Sequence, residues 1–424
     1  MGKTILSKNL LLYLSFLFAI IACNTPKQVA STHYNTPKGN KSLTETIDQR
    51  FKHAATQYKL MMDELPDDKF PKTFVKNNNY FETSGPDWWT SGFYPGTLLY
   101  LYEETQDSTL QKEANRKMKI LAKQQNNQKS ADLGFIMYSS FGNAMKIEPT
   151  VSYHKTLLTS AKTLAKRYNK KVKAIRSWDT KQNDKEFIVV IDHLMNLELL
   201  FWATHATGDS SYYKMAVNHA ETVLKNNLRE DYSTCQIVNL DTKTGKLKQK
   251  RNAQGYSDTS TWARGEAWAL YGLTVLYRET KSQKYLTLAK HVADYILNHP
   301  NLPKDKIPYW DFDSPEIPNT YRDASAGAII ASSLLELCGY TQENEKTYFK
   351  AAEKMLETLA SPAYTSLLGA NGGFILMHGA GYIPVMAEVD VPLPYADYYY
   401  IQALKRYKAI VTEARSANAS FVYP

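Results

Sequence analysis

A two-part unit recurs along this chain. An aromatic-rich apolar stretch ends in a short polar turn, and an amphipathic stretch rich in lysine and alanine follows. Clear copies occupy 97–107 with 110–124, 197–209 with 212–226, 270–280 with 285–298, and 329–341 with 347–359. Fainter copies are 141–147 with 153–168, and 395–410, which pairs with an early helix over 43–65. Both halves space their apolar residues at helical intervals, so each unit reads as a helix pair. Thr105, Thr207, Thr280 and Thr341 mark the turns, and the first gap leaves room for the fainter copy. Six helical hairpins are the count of a closed toroid, which predicts an all-α (α/α)6 barrel with apolar helices inside and charged ones outside. An open solenoid of helix pairs is the competing arrangement. The segment from Cys235 to Gln249 interrupts the helical pattern; its turn around Gly245 predicts a small β-hairpin over one end of the ring.

A chain of 424 residues with 43% hydrophobic residues can bury a large core without disulfides or metal. The net charge of +9 favours anionic partners in general. The lysines, however, sit in helical stretches such as Lys112 to Lys117, and no basic run is interleaved with aromatics, so nucleic acid is not an expected partner. Thirty tyrosines fit sugar-stacking surfaces, and equally core filling with a polar handle. At the N-terminus, Lys3 and Lys8 precede an apolar run from Leu10 to Ala22 that is too short for a stable span and ends Ile20-Ile21-Ala22-Cys23. Residues 1–22 therefore read as a lipoprotein signal peptide, with Cys23 as the lipidated residue. Residues 23–41 read as a flexible tether and 42–424 as a single catalytic domain. An ordinary signal peptide with a stray cysteine is the plainer alternative. The expected location is the cell envelope, with the lipid anchor as the sole membrane attachment. Without Cys23, only Cys235 and Cys338 remain, too few for a disulfide framework. The histidines show no metal-ligand spacing, and no metal or cofactor is called for.

The unusual residues cluster just before the apolar helices: Asp87 to Gly96, Asp132 to Phe135, Val190 to His193, Gln254 to Trp268, and Tyr321 to Ser325. In a ring of hairpins the inner helices start at one end, so these segments converge on one mouth, where helix N-termini favour an anionic ligand. Asp192 follows the very apolar Phe187 to Ile191. Such surroundings disfavour the charged form, which suits a carboxyl that holds a proton and then delivers it. A helix N-cap is an equally good reading of Asp192, and for Asp132 taken alone the better one. Trp89 and Phe93, four apart, fit core packing as readily as a sugar platform. Arg264 between Trp262 and Trp268 suggests a carboxylate clamp beside stacking faces.

Together, Trp88-Trp-Thr-Ser-Gly-Phe-Tyr-Pro-Gly96, Asp132-Leu-Gly-Phe135, Arg176-Ser-Trp178, Ile191-Asp-His-Leu-Met-Asn-Leu197, Gly255-Tyr-Ser-Asp258, Ser260-Thr-Trp-Ala-Arg-Gly265 and Glu388-Val-Asp-Val391 resemble the unsaturated glucuronyl hydrolases of glycoside hydrolase family 88. The likeness runs from about Trp88 to Tyr407. It implies an (α/α)6 barrel with Asp192 as general acid/base and Asp132 as the second carboxylate. It also implies Trp89, Phe93, Trp178, Gln236, Gln254, Trp262, Arg264 and Trp268 as substrate-lining residues. The implied reaction hydrates the C4=C5 vinyl ether that a polysaccharide lyase leaves on the non-reducing uronic acid. The partners would be unsaturated-uronate oligosaccharides of the glycosaminoglycan or ulvan type. Two departures stand out: Gln236 and Ala253 lie where the family often has histidine, and Glu266 lies where glutamine is usual. No Ser-plus-Lys sulfate-binding cluster is evident between His378 and Pro384. The alternatives are a rhamnogalacturonyl hydrolase of family 105, an inverting glycosidase with two carboxylates flanking an intact bond, and a non-catalytic glycan-binding lipoprotein.

Overall fold

A computed structural model describes residues 39–413; the leader, Cys23 and most of the tether lie outside the described residues. Twelve α-helices are named here in chain order. The first five are α1 (Lys41–Glu64), α2 (Phe93–Thr105), α3 (Ser108–Leu121), α4 (Asn143–Ile147) and α5 (Val151–Ala165). The next four are α6 (Leu197–Thr207), α7 (Ser210–Asn227), α8 (Ala263–Thr280) and α9 (Gln283–Asn298). The last three are α10 (Ala324–Cys338), α11 (Glu345–Leu359) and α12 (Pro394–Glu413). A π-helical turn, Gly134–Gly142, runs directly into α4, and a 3-10 segment, Ile191–Asn196, runs into α6.

The inner helices close on themselves. α2 packs on the 134–142 turn, that turn on α6, the 191–196 segment on α8, α8 on α10, α10 on α12, and α12 on α2. Outside them lie α3, α5, α7, α9, α11 and α1, each against an inner helix. This is the expected (α/α)6 toroid. Its physical cause is visible in the burial: every residue of α10 is buried, whereas α3 and α11 bury one face only. Helix α1 begins at Lys41, and the Asn40 side chain caps it by accepting from Leu43 N at 3.2 Å.

The inner-to-outer turns share one local design. In Thr105-Gln106-Asp107, Thr207-Gly208-Asp209 and Thr280-Lys281-Ser282, the middle residue takes the left-handed conformation that ends a helix. The threonine hydroxyl donates back to the carbonyl four residues earlier and accepts from the third residue's N–H. Asp107 and Asp209 then cap the outer helix.

All nine strands lie in segments returning from an outer helix to the next inner one, so they gather at the mouth where inner helices begin. They are β1 (Phe70–Val75), β2 (Tyr80–Ser84), β3 (Tyr168–Asn169), β4 (Ala174–Ile175), β5 (Glu186–Val190), β6 (Ile237–Asp241), β7 (Leu247–Arg251), β8 (Gly379–Tyr382) and β9 (Ala387–Val391). The predicted hairpin is β6–β7, and the structure adds β5 to make a three-stranded antiparallel sheet. The apolar run before Asp192 is therefore a buried strand, with Val189 opposite Val238 and Phe187 opposite Leu240. At the other end of the barrel, a cavity of about 340 Å³ is lined by the C-terminal parts of α2, α8 and α12. Its polar groups pair among themselves, Arg278 with Glu198 and Gln402 with Tyr100.

Candidate active site

Strand β5 ends where the chain must turn into the barrel wall, and Asp192 sits in the first 3-10 turn that follows. Ser177 extends the sheet beside it: its N–H donates to Ile188 O at 2.8 Å and its Oγ accepts from Val190 N at 3.1 Å. Trp178 is thereby held near the entrance to the 191–196 segment and remains 38% exposed. On the other side, Ile191 N donates to Gln236 O at 3.0 Å, and Gln236 Oε1 accepts from Gln254 N at 2.9 Å. The sheet thus draws together residues separated by about 75 positions.

Asp192 caps no helix. Its Oδ1 is enclosed and has no hydrogen-bond partner. Burial is the largest influence on the carboxyl and pushes it from 3.8 up to about 6; the charge of Asp132 acts in the same direction, while His193 and Arg264 oppose it. Asp132 is not a cap either. Its Oδ1 lies 3.0 Å from His193 Nε2, and its Oδ2 accepts from Ser130 Oγ at 3.2 Å. Of the two readings open for each aspartate, the geometry discards the cap.

An aromatic floor lies beneath the carboxyls. Trp89 packs against Phe93, Phe135 and Tyr395, with ring centroids 6.0, 5.6 and 4.8 Å away. Phe135 meets Trp268 at 5.3 Å. Phe93, Trp262 and Trp268 are buried: Phe93 and Trp268 pack against Phe135, and Trp262 lies against the Arg264 guanidinium. Gln236, 1% exposed, also lies behind the wall and orients Gln254. Half-buried Trp89 and Gln254, with Trp178, are the expected binding residues that reach the mouth.

Arg264 differs most from expectation. It is buried, with its guanidinium 4.5 Å from the Trp262 ring and 5.4 Å from Tyr395. Nη1 donates to Asp323 Oδ2 at 3.2 Å and to Ala380 O. Nη2 donates to Gln254 Oε1 at 2.7 Å and to Gly381 O at 2.6 Å. The four terminal N–H groups all bond within the protein. The guanidinium ties the β8–β9 hairpin to the barrel and lends positive charge to Asp192.

Glu266, in the first turn of α8, accepts from Thr234 N at 2.7 Å and Thr234 Oγ1 at 2.8 Å, and its Oε2 has no partner. Burial pushes it up to about 8, so it carries a proton at neutral pH and presents the same neutral shape as glutamine. The sequence reading passed over His193, weighing it as a metal ligand alone. It also missed Tyr395, whose buried hydroxyl has no partner, and Glu388, 3.9 Å from Lys72. Their signal was position: His193 adjoins Asp192, Glu388 opens a quoted motif, and Tyr395 opens the last apolar stretch. Among the described residues no group of three or more His, Cys, Asp or Glu side chains is arranged to hold a metal ion.

A model described as Glycosyl Hydrolase Family 88 matches residues 55–410. The chain is 43% identical over 376 residues to an unsaturated glucuronyl hydrolase of Formosa agariphila, covering 88% of this chain and 94% of that protein. It is 32% identical over 371 residues to an unsaturated chondroitin disaccharide hydrolase of Streptococcus agalactiae, covering 86% and 91%. Among solved structures, an unsaturated glucuronyl hydrolase specific for heparin superposes with a TM-score of 0.84 at 42% identity, over 87% of this chain and 98% of that one.

Proposed function

The chain belongs to glycosyl hydrolase family 88 and hydrolyses unsaturated-uronate oligosaccharides; from that premise we propose that Asp192 performs the chemistry by hydrating the C4=C5 double bond. This membership sets aside the family 105 alternative. The observation that carries the mechanism is the Asp192 carboxyl itself, pushed to about 6, with one oxygen unpaired and a second carboxylate beside it. Such a group holds a proton near neutral pH and gives it up readily, then serves as a base in its ionised form.

Asp192 delivers its proton to C4, and positive charge develops on C5 and the ring oxygen. A water molecule bonds to C5 and returns a proton to Asp192, which leaves the enzyme as it began. The product is a hemiketal. Its C5–ring oxygen bond opens to a ketone, and the hemiacetal now at C1 expels the next sugar as an alcohol. One water is consumed, and no nucleophile touches the anomeric carbon. Asp132 supplies fixed negative charge and accepts hydrogen bonds from sugar hydroxyls, while Trp89, Trp178 and the Gln254 amide nitrogen face the sugar.

The heparin-specific and chondroitin-directed relatives support glycosaminoglycan fragments as the first substrates to try, with rhamnose-linked fragments as the other arm of a panel. The Cys23 context supports an envelope-anchored enzyme that meets these fragments as lyases release them. The test is turnover in heavy and oxygen-labelled water. Deuterium should enter at C4 and labelled oxygen at C5; label at the anomeric carbon would show direct displacement and refute the mechanism.

A further inference from the structure

Two carboxyls close enough to feel each other's charge share protons as a pair unless their surroundings distinguish them. Burial distinguishes Asp192. Asp132 is distinguished by its bonding. Consecutive side chains in a 3-10 turn point about 120° apart. Asp192 can therefore face the mouth while its neighbour His193 is driven between this segment and the one that starts at Asp132. There His193 is buried, with a side chain 4% exposed and Nε2 3.0 Å from Asp132 Oδ1.

We propose that His193 is a positioning residue for the reaction: its Nε2–H holds Asp132 as the carboxylate of the pair, leaving the working proton to Asp192. The inference rests on the reading of Asp132 and Asp192 as the working pair. The tautomer follows from the packing. Nδ1 is enclosed without a partner. A proton there would strand a buried donor and set the Nε2 lone pair against a carboxylate oxygen at 3.0 Å. With the proton on Nε2, both Asp132 oxygens receive hydrogen bonds, from His193 and from Ser130. The imidazole bonds Asp132 and interacts electrostatically with Asp192 and His219. Burial pushes His219 down to about 3, and its Nδ1 accepts from Ile175 N at 3.0 Å, so it is neutral. Arg264 also acts on Asp192, whose charge in turn reaches Tyr395.

The test compares His193→Leu with His193→Gln, whose amide N–H reaches about as far as Nε2. His193→Leu should lower kcat about 10- to 100-fold, with KM little changed. It should also raise the acidic limb of the pH profile of kcat/KM by about one unit, as Asp132 begins to take the proton. His193→Gln should restore most of both. A leucine variant with the wild-type pH profile, or a glutamine variant as impaired as leucine, would overturn the proposal. If the leucine variant does not fold, nitrogen-15 NMR of the wild type decides: the Nε2–H tautomer near neutral pH supports it, and the Nδ1–H tautomer refutes it. Both readouts are independent of where labelled oxygen enters, so they separate this inference from the hydration mechanism.

Discussion

Replacing Asp192 with asparagine should abolish turnover and, at the same time, stabilise the folded protein. The magnitude follows from burial. The carboxyl titrates at 3.8 when solvated and at about 6 in the fold, a gap of roughly two units worth about 3 kcal/mol. The sign is that of an acid whose folded value is raised. The unfolded chain ionises first, so the cost is absent below the unfolded value, grows as pH rises between the two, and is complete above the folded one. At about pH 5 the wild type should have incurred roughly half of it, and by about pH 8 all of it. Asparagine carries no charge and escapes this cost. Part of the side chain reaches the mouth, and the amide brings donors of its own, so about 3 kcal/mol is a ceiling. Urea denaturation of both proteins at several pH values reads the difference directly. Asp192→Asn should be the more stable protein, with a gap that widens from acid to neutral pH. An equally stable variant, or a gap independent of pH, would show that Asp192 is well solvated in the fold, and the argument for its proton would fail.

Arg264→Lys should cost on the order of 2 kcal/mol of stability together with activity, because an ammonium cannot serve Asp323, Gln254 and two carbonyls at once. An unchanged melting temperature with a raised KM alone would restore the substrate-clamp reading. Cys23→Ser should move the protein from the membrane fraction to the soluble one with activity intact; unchanged membrane association would remove the lipoprotein reading.

The sequence by itself determined the helix pairs, and the packing of α12 on α2 decided that they close into a barrel. Six apolar–amphipathic pairs, and the Thr-x-Asp/Ser turns in three of them, are local signals, since a 3.6-residue stripe and a helix cap are written within a few turns of chain. It also located the site, because topology sends the start of every inner helix to one end. What it left open was which side chains face the cavity. Trp262 precedes, and Arg264 and Trp268 occupy, a helix buried on all sides from Ala263 to Leu276, where no stripe separates a wall residue from a lining one. Only packing shows that Arg264 is spent on the β8–β9 hairpin and that Trp268 lies under Phe135. The choice between cap and acid for Asp192 was equally tertiary. It turned on strand β5 pairing with β6, some fifty residues later, which buries the turn and leaves Oδ1 without a donor. The His193–Asp132 hydrogen bond spans 61 residues. Long-range pairs of this kind leave no periodic trace in a sequence, and they decide which of two carboxyls keeps the proton.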